Sequence, residues 1–268
     1  MRLKLENAAL GAVGALLFGF LAAPILSLFF TANVRDVIDG LRHPLVWPAL
    51  RLSVTTTVAS SCIVVFLGTP LAWRLSRSTG RGARALETII QLPIVIPPAV
   101  AGVALLLAFG RRGLFSGLLY PTSWSVSFTT TAVVMAEIFV SAPFYVQSAI
   151  HAFRRIDPSI LLVARTFGAS PLRVFFRLAI PLAAHGLLGG AAMSWARAMG
   201  EFGATLMFAG NLQGRTQTLP LAIYTALESD LRTAQALSIF LVISAFALLL
   251  IVRAGLSGAT RPESEPRA

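Results

Sequence analysis

Six apolar stretches, each long enough to cross a lipid bilayer, constrain the fold of this chain more than any other feature. A transmembrane helix needs about 20 consecutive, mostly apolar residues. The sequence meets this length at residues 8–30, 52–73, 88–110, 128–150, 182–208 and 233–252. Charged residues make up 12% of the 268 residues, about half the share in soluble domains. We therefore predict an all-α integral membrane protein with six transmembrane helices, which form one domain over residues 1–255.

The first apolar stretch has two interpretations. It could be a retained transmembrane helix or the apolar core of a cleavable signal peptide. A signal peptide core usually holds about 7–15 residues, and residues 7–34 carry no charge at all. The length favours a retained first helix.

The positive charges predict which side of the membrane each connection faces. Residues preceding the first span, the connections at 74–87 and 151–181, and the C-terminal tail hold fourteen of the 22 lysines and arginines, whereas the other three connections hold seven. Cytoplasmic connections are enriched in lysine and arginine, so both termini are expected in the cytoplasm and residues 256–268 are expected to form a disordered tail. Because the charges are sparse and lie between apolar stretches, the net charge of +11 does not predict binding to nucleic acid.

Several kinds of chemistry are disfavoured by residue usage. Lys4 is the only lysine and does not follow a glycine, whereas a phosphate-binding P-loop requires a Gly-Lys pair. Any ATP that drives this protein must therefore be hydrolysed on another chain. The three histidines lie far apart in the sequence and Cys62 is the single cysteine, so we expect no metal site, no cofactor, no enzymatic activity and no internal disulfide, and we expect Cys62 to be buried.

The connection at residues 156–181 has the sequence signals of two short helices. Asp157 can cap the first helix with Pro158 in its first turn, and Gly168 suits the left-handed residue that ends a helix. Ser170 and Pro171 repeat the start signal, and Pro181 is expected to end the second helix or to kink the chain after it. A compact helical unit at the inner membrane face indicates a docking surface. We call residues 154–181 the coupling loop.

Ionisable residues and prolines occur inside three predicted spans. Arg197 and Glu201 are four residues apart and can pair on one helix face, either to fix packing or to line an anion path. Glu137 is expected to be a buried carboxylate bound by a neighbouring Ser or Tyr, with a proton-relay role as the alternative. Prolines in the third span, among them Pro97, predict a kinked packing helix or a break that lines a pathway.

The coupling loop also resembles a known sequence motif. Ala164, Gly168 four residues later and the closing Pro181 resemble the cytoplasmic loop of bacterial ABC importer permeases, although Leu162 and Val163 replace the usual Glu-Ala. The resemblance implies the type I importer fold, two copies of the chain, two ATPase subunits docked on the coupling loop, and an external binding protein. The residues it implies for ATPase coupling are Asp157, Leu162, Ala164, Arg165, Gly168, Ala169, Ser170, Pro171 and Arg173.

A second motif narrows the resemblance to molybdate and tungstate importer permeases. It comprises residues 200–205, GEFGAT, and residues 216–220, TQTLP. The implied cargo is a tetrahedral oxyanion, most simply molybdate, with tungstate and sulfate as alternatives. The residues expected to line or gate the path are Pro97, Ser194, Arg197, Glu201, Gly203, Thr205 and Asn211.

A competing hypothesis is a secondary transporter that is driven by an ion gradient, with Glu137 and Glu201 as proton carriers. Many such transporters contain internal repeats, and no repeat is evident in this sequence.

Overall fold

The computed structural model describes residues 2–119 and 125–258, and the described residues form helices joined by short connections. Side chains are described for residues 11–117, 125–247 and 250. The helices are α1 (Arg2–Phe30), α2 (Val34–Leu41), α3 (Val46–Ser76), α4 (Arg81–Val95), α5 (Pro98–Phe109), α6 (Ser116–Leu119), α7 (Thr130–Arg154), α8 (Pro158–Thr166), α9 (Pro171–Val174), α10 (Ile180–Met199), α11 (Gly203–Ala209), α12 (Leu219–Ser229) and α13 (Leu231–Gly258).

The predicted all-α membrane fold is confirmed. Within the described ranges, four helices are long and apolar enough to cross a membrane: Gly11–Phe30, Val46–Ser76, Thr130–Arg154 and Pro171–Met199. A fifth span is possible if α4 and α5 count together, and the sixth predicted span falls in α13, where the shorter segment Leu231–Ala247 is apolar. The predicted disordered tail begins three residues too early, since α13 continues to Gly258, and residues 259–268 lie outside the described part.

The helix α7 is the centre of the fold and packs most extensively against α3 and α10. Small residues allow these close approaches. Gly190 of α10 lies against Ser148 of α7, and the Ser148 hydroxyl donates to the Gly186 carbonyl at 2.9 Å. Gly68 of α3 lies against the ring of Tyr145, whose hydroxyl is 2.5 Å from that of Thr69. The core between the three helices is therefore set by glycines and hydroxyls as well as by apolar volume.

Two predicted spans are interrupted, and in the third span the structure shows the break that its prolines left open as one of two alternatives. The third span bends by 116° between α4 and α5, because Pro98 disfavours the helical conformation at Pro97 and both Ile96 and Pro97 are extended. The fifth span ends at Met199, and a new helix starts at Gly203. The break between these two helices coincides with Gly200 and Gly203, which flank Glu201.

The two-helix prediction for the coupling loop is confirmed at its start and wrong at its end. Asp157 and Ser170 cap α8 and α9, and Gly168 has a φ of +80°. Pro181 does not end the helix: α9 runs through a π-helical turn, Phe175–Ala179, into α10. A proline is tolerated in the first turn of α10, where a widened turn already changes the hydrogen-bond pattern.

Cys62 is exposed, which corrects the prediction of a buried thiol. The buried face of α3 contains Ser53, Thr56, Ser60 and Val64, which recur at helical spacing. Cys62 lies off that face, so it is turned away from α7.

The contact between α7 and α10 makes a testable prediction at two adjacent glycines. A Cβ at Gly190 would lie 2.7 Å from the Ser148 Cβ, whereas a Cβ at Gly189 would meet nothing within 4 Å. Gly190→Ala should therefore destabilise the detergent-solubilised protein by about 1–3 kcal/mol of overpacking. Gly189→Ala, the matched control, should be neutral or stabilising by up to about 1 kcal/mol of helix propensity. Thermal unfolding of both variants checks this, and equal effects would contradict the packing described.

Candidate functional site

The two helix breaks lie against each other. The backbone at Gly203, which starts α11, approaches α5 so closely that a Cβ there would lie 2.8 Å from the Pro98 Cβ. One turn further along α5, a Cβ at Gly102 would lie 2.8 Å from the Ala204 carbonyl oxygen. We call residues 96–98 and 200–203 the paired breaks. Non-helical backbone at membrane depth is tolerated only where protein or a water-filled cavity surrounds it, and each break lies beside the other's half-helix.

Arg197 and Glu201 form the predicted ion pair at the second break. The Arg197 Nη1 lies 2.7 Å from Oε2 of Glu201, whose side chain is 1% exposed. The other carboxylate oxygen accepts a hydrogen bond from the Ala204 N–H at 2.8 Å. Glu201 therefore joins the last turn of α10 to the first turn of α11, where a negative charge is favoured by the free N–H groups of a helix start.

Glu137 is a second buried carboxylate and is bound by hydroxyls, as the sequence predicted in general terms. Its Oε1 accepts from the Thr56 hydroxyl at 2.7 Å and from that of Thr57 at 3.5 Å, and its Oε2 accepts from Ser60 at 2.9 Å. All three donors belong to α3, so this cluster fastens α3 to α7. Thr57 also lies 3.8 Å from the sulfur of Met199, the residue that precedes the second break.

Sequence reasoning missed the three α3 hydroxyls, although a signal was present. Ser53, Thr56, Thr57 and Ser60 recur at intervals of three and four in an apolar helix. Such spacing places hydroxyls on one face, and an apolar span with one polar face must present that face to protein or water.

The other predicted path residues occupy different surroundings. The Ser194 hydroxyl is buried and donates to the Ser141 carbonyl at 3.1 Å, so it serves the contact between α10 and α7. Thr205 is fully buried on α11, and its hydroxyl has no hydrogen-bond partner among the described residues. Asn211 follows α11 and donates to the Thr225 hydroxyl at 2.9 Å. The paired breaks thus bring Pro97, Gly203 and the ion pair together, whereas Ser194 and Asn211 contact other elements.

The segment between α11 and α12 is anchored to three helices. The Leu219 N–H donates to Ser53 of α3 at 2.7 Å, and the Thr130 hydroxyl at the start of α7 donates to the Arg215 carbonyl at 2.9 Å. Gln217 is buried and donates to Thr225 of α12 at 3.2 Å. The TQTLP motif, which begins in this segment, is therefore a fixed part of the fold rather than a free loop.

The coupling loop exposes several large apolar side chains. Leu162, Phe167 and Leu172 are 65%, 87% and 70% exposed, while Leu161 and Val174 are buried in the core with α3 and α7. Ala164 and Ala169 are half-buried against this core. The Asp157 carboxylate accepts from the Ser159 N–H at 2.9 Å, and this hydrogen bond lowers the pKa of Asp157. The loop is thus anchored on one side and open on the other.

The described residues contain no group of three side chains suited to holding a metal ion. The structure is thus that of a helical membrane protein with interrupted spans and an exposed loop that is anchored to the spans. Residues 64–257 match the family of binding-protein-dependent transport system inner membrane components. The chain belongs to this family.

Relatives with specific names support the same assignment. The molybdenum transport system permease protein ModB of Mycobacterium tuberculosis is 43% identical over 88% of this chain and 89% of its own length. The molybdate/tungstate transport system permease protein WtpB of Pyrococcus abyssi is 33% identical over 90% and 92%.

The fold itself matches solved transporters. The bacterial ABC transporter involved in the import of alginate aligns with a TM-score of 0.77 at 16% identity, covering 97% of both chains. The inward-facing MetNI methionine ABC transporter aligns with a TM-score of 0.63 at 18% identity over 81% of this chain. The type I ABC importer permease fold predicted from the sequence is confirmed.

The ion pair at the second break makes a second prediction. Arg197→Gln leaves the buried Glu201 carboxylate without its partner and should destabilise the protein by about 3 kcal/mol. The double variant Arg197→Gln/Glu201→Gln should recover most of this loss, because a neutral amide keeps an acceptor for the Ala204 N–H. Thermal unfolding of the two single variants and the double variant measures the coupling. Additive effects would show that the pair contributes nothing to the break.

Proposed function

We propose that this chain is the membrane-spanning subunit of an ATP-driven importer for molybdate, with tungstate or sulfate as the alternative cargo. The observation that carries this proposal is its membership of the binding-protein-dependent family, together with 33–43% identity to permeases named for molybdenum, molybdate or tungstate. Two copies of the chain form the path, two ATPase subunits bind at the inner face, and an oxyanion-binding protein delivers the cargo outside. ATP hydrolysis takes place on the partner subunits.

The protein works in the cytoplasmic membrane, surrounded by lipid, with both termini and the coupling loop inside. The excess of lysine and arginine in the connections assigned to the inside supports this orientation. The exposed apolar side chains of α1 and α10, for example Leu16 at 77% and Leu188 at 55%, require lipid or a second copy to cover them.

The coupling loop receives the ATPase on the surface that Leu162, Phe167 and Leu172 leave open. An exposed apolar patch of this kind is typical of a protein contact. Asp157, Ser170 and Pro171 start its helices, Gly168 turns the chain between them, and Arg165 and Arg173 add charge for the partner. Ala164 and Ala169 hold the loop against α3 and α7. A movement of the ATPase is therefore transmitted through the loop to the transmembrane helices.

The paired breaks form the gate of the path. Non-helical backbone presents N–H and C=O dipoles that can bind a passing anion weakly. Binding must be weak because a tightly held ion would not leave the path. Thr205 supplies a hydroxyl without a partner in the described structure, and Asn211 supplies an amide beyond α11. Ser194 acts through the packing of α10 on α7.

The gradient-driven alternative assigns proton transfer to Glu137 and Glu201. Glu137 accepts three hydroxyl hydrogen bonds, and Glu201 pairs with Arg197 and binds the start of α11. Both carboxylates hold helices together, which favours the ATP-driven proposal.

Gly168 tests the coupling role. Its φ of +80° suits glycine, and β-branched residues avoid this region, so Gly168→Val should unfold the turn and abolish co-purification of the ATPase. The matched control is Gly80→Val, at an inner-face glycine with a φ of −78° and nothing within 4 Å of an added Cβ. Gly168→Asn, which tolerates the left-handed region, should retain binding. The membrane content of all three variants should equal that of the wild type. Full ATPase association of Gly168→Val would refute the docking role.

Uptake into proteoliposomes tests the cargo and the energy source. Vesicles containing the permease, its ATPase and its binding protein should accumulate molybdate in preference to sulfate, only with ATP, and regardless of a protonophore. Thr205→Ala or Asn211→Ala should lower the uptake rate if these residues line the path, and unchanged rates would remove them from it. Uptake that needs no ATPase and stops with the protonophore would instead support the gradient-driven alternative.

A further inference from the structure

The helix α4 leads directly into the first of the paired breaks, yet it is packed loosely in the single chain. Each of its residues is at least partly exposed. Ala83 and Ile90 pack against the core that α3, α7 and the coupling loop share, and α7 is the helix that α4 contacts most extensively. The position of α4 therefore depends on a small contact with α7.

An ion pair fastens this contact at the end of α7. Nη2 of Arg154, the last residue of α7, lies 2.5 Å from Oε1 of Glu87 on α4, and the two side chains are 40% and 19% exposed. A partly exposed ion pair adds little to the stability of a fold. Its effect here is positional, because it joins a loosely packed helix to the end of α7.

Matching faces of the two helices surround the ion pair. They enclose a narrow cleft of about 70 Å³, whose lining residues include Glu87, Ile90 and Gln91 of α4 and Gln147, Ile150 and Arg154 of α7. Within each set the spacing follows the helical repeat, which places the set on one face of its helix. The ion pair lies at the end of this contact that is nearer the coupling loop.

Arg154 is carried by backbone that is fixed to the coupling loop. The preceding Phe153 is fully buried, and its ring centre lies 6.3 Å from that of Phe175 in the π-helical turn. Ile156 is buried in the same core as Leu161 of α8. A displacement of the coupling loop therefore displaces Arg154 with it.

Glu87 is connected through α4 to the first break. Val95, the last residue of α4, is eight positions further along, which is about 12 Å of helix at 1.5 Å per residue. The extended residues Ile96 and Pro97 follow, and beyond them α5 packs against α11. A movement of Glu87 therefore changes the angle between α4 and α5, which is the geometry of the first break.

The second break is reached from the coupling loop by a different helix. That helix runs from Pro171 to Met199, and near its end Arg197 pairs with Glu201 in the second break. Because the two breaks contact each other, a displacement of one without the other would separate them. A gate built from both breaks requires a connection to each.

We propose that Glu87 and Arg154 are positioning residues of the transport cycle, and that their ion pair transmits movements of the coupling loop to the first break. The helix α10 transmits the same movements to the second break, so the paired breaks move together. Neither side chain needs to contact the cargo or the ATPase. The inference rests on the proposed function, in which the ATPase moves the loop and the breaks gate the path.

Hydrogen exchange measured by mass spectrometry on the permease–ATPase complex in detergent separates the two connections. In the wild type, binding of a non-hydrolysable ATP analogue should change amide exchange at both breaks, in residues 92–96 and 199–204. In Glu87→Gln and in Arg154→Gln, the response of residues 92–96 should be lost while that of residues 199–204 remains. The charge-swapped variant Glu87→Arg/Arg154→Glu should restore the lost response. Arg81→Gln is the matched control, because it removes an exposed charge of α4 outside the pair, and it should behave like the wild type.

The same variants should uncouple transport in proteoliposomes. Molybdate uptake per ATP hydrolysed should fall about fivefold in Glu87→Gln, with ATPase association unchanged, and should recover in the charge-swapped variant. A residue that only stabilised the fold would lower the amount of assembled complex and leave this ratio unchanged.

Four outcomes would overturn the inference. They are a wild type that does not respond to the nucleotide at residues 92–96, a response there that persists in both single variants, an equal loss at the two breaks, and an equal loss in Arg81→Gln. The proposed function fails separately, if wild-type vesicles do not accumulate the oxyanion with ATP. The exchange comparison needs no cargo, so it still decides the role of the ion pair in that case.

Discussion

Backbone N–H and C=O groups cannot be left without partners in a bilayer, and this constraint governs how the fold handles its two interruptions. The chain leaves helical geometry at Ile96–Pro97 and again at Gly200–Phe202. The two breaks lie side by side with glycines at the contact, while Pro97 and Pro98 stay exposed within the single chain.

The remaining packing depends on that arrangement. The second break must be held in position, and the buried Glu201 does this by binding Arg197 before the break and the Ala204 N–H after it. The helix α10 needs an equally fixed partner, which α7 provides through the contact of Ser148 with Gly190. The hydroxyl cluster around Glu137 then fixes α3 to α7 as well. Buried carboxylates at membrane depth are costly unless they are paired or hydrogen-bonded, and each oxygen of these two carboxylates has a partner.

Much of this architecture could be predicted from the sequence because its signals are local. Span lengths, the cap at Asp157, the left-handed Gly168 and the pairing of Arg197 with Glu201 each depend on residues within a few positions of one another. What could not be predicted depends on contacts between distant segments. The hydroxyl partners of Glu137 lie about 80 residues away in the chain. The meeting of the two breaks likewise joins residues about one hundred positions apart, and a proline pair or a glycine pair alone does not reveal its partner.

At Pro181 a strong local signal gave the wrong prediction. The proline was expected to end the helix, yet the helix continues through it. The π-helical turn before it absorbs the missing N–H, and the helix runs unbroken over 29 residues from Pro171 to Met199. At 1.5 Å per residue this is a rod of roughly 40 Å. Its lower tip lies in the coupling loop and its upper tip carries Arg197. Because the helix is continuous, a displacement of its coupling-loop end also displaces the end that carries Arg197, and the regular α-helical hydrogen bonding between them changes at the π-helical turn Phe175–Ala179.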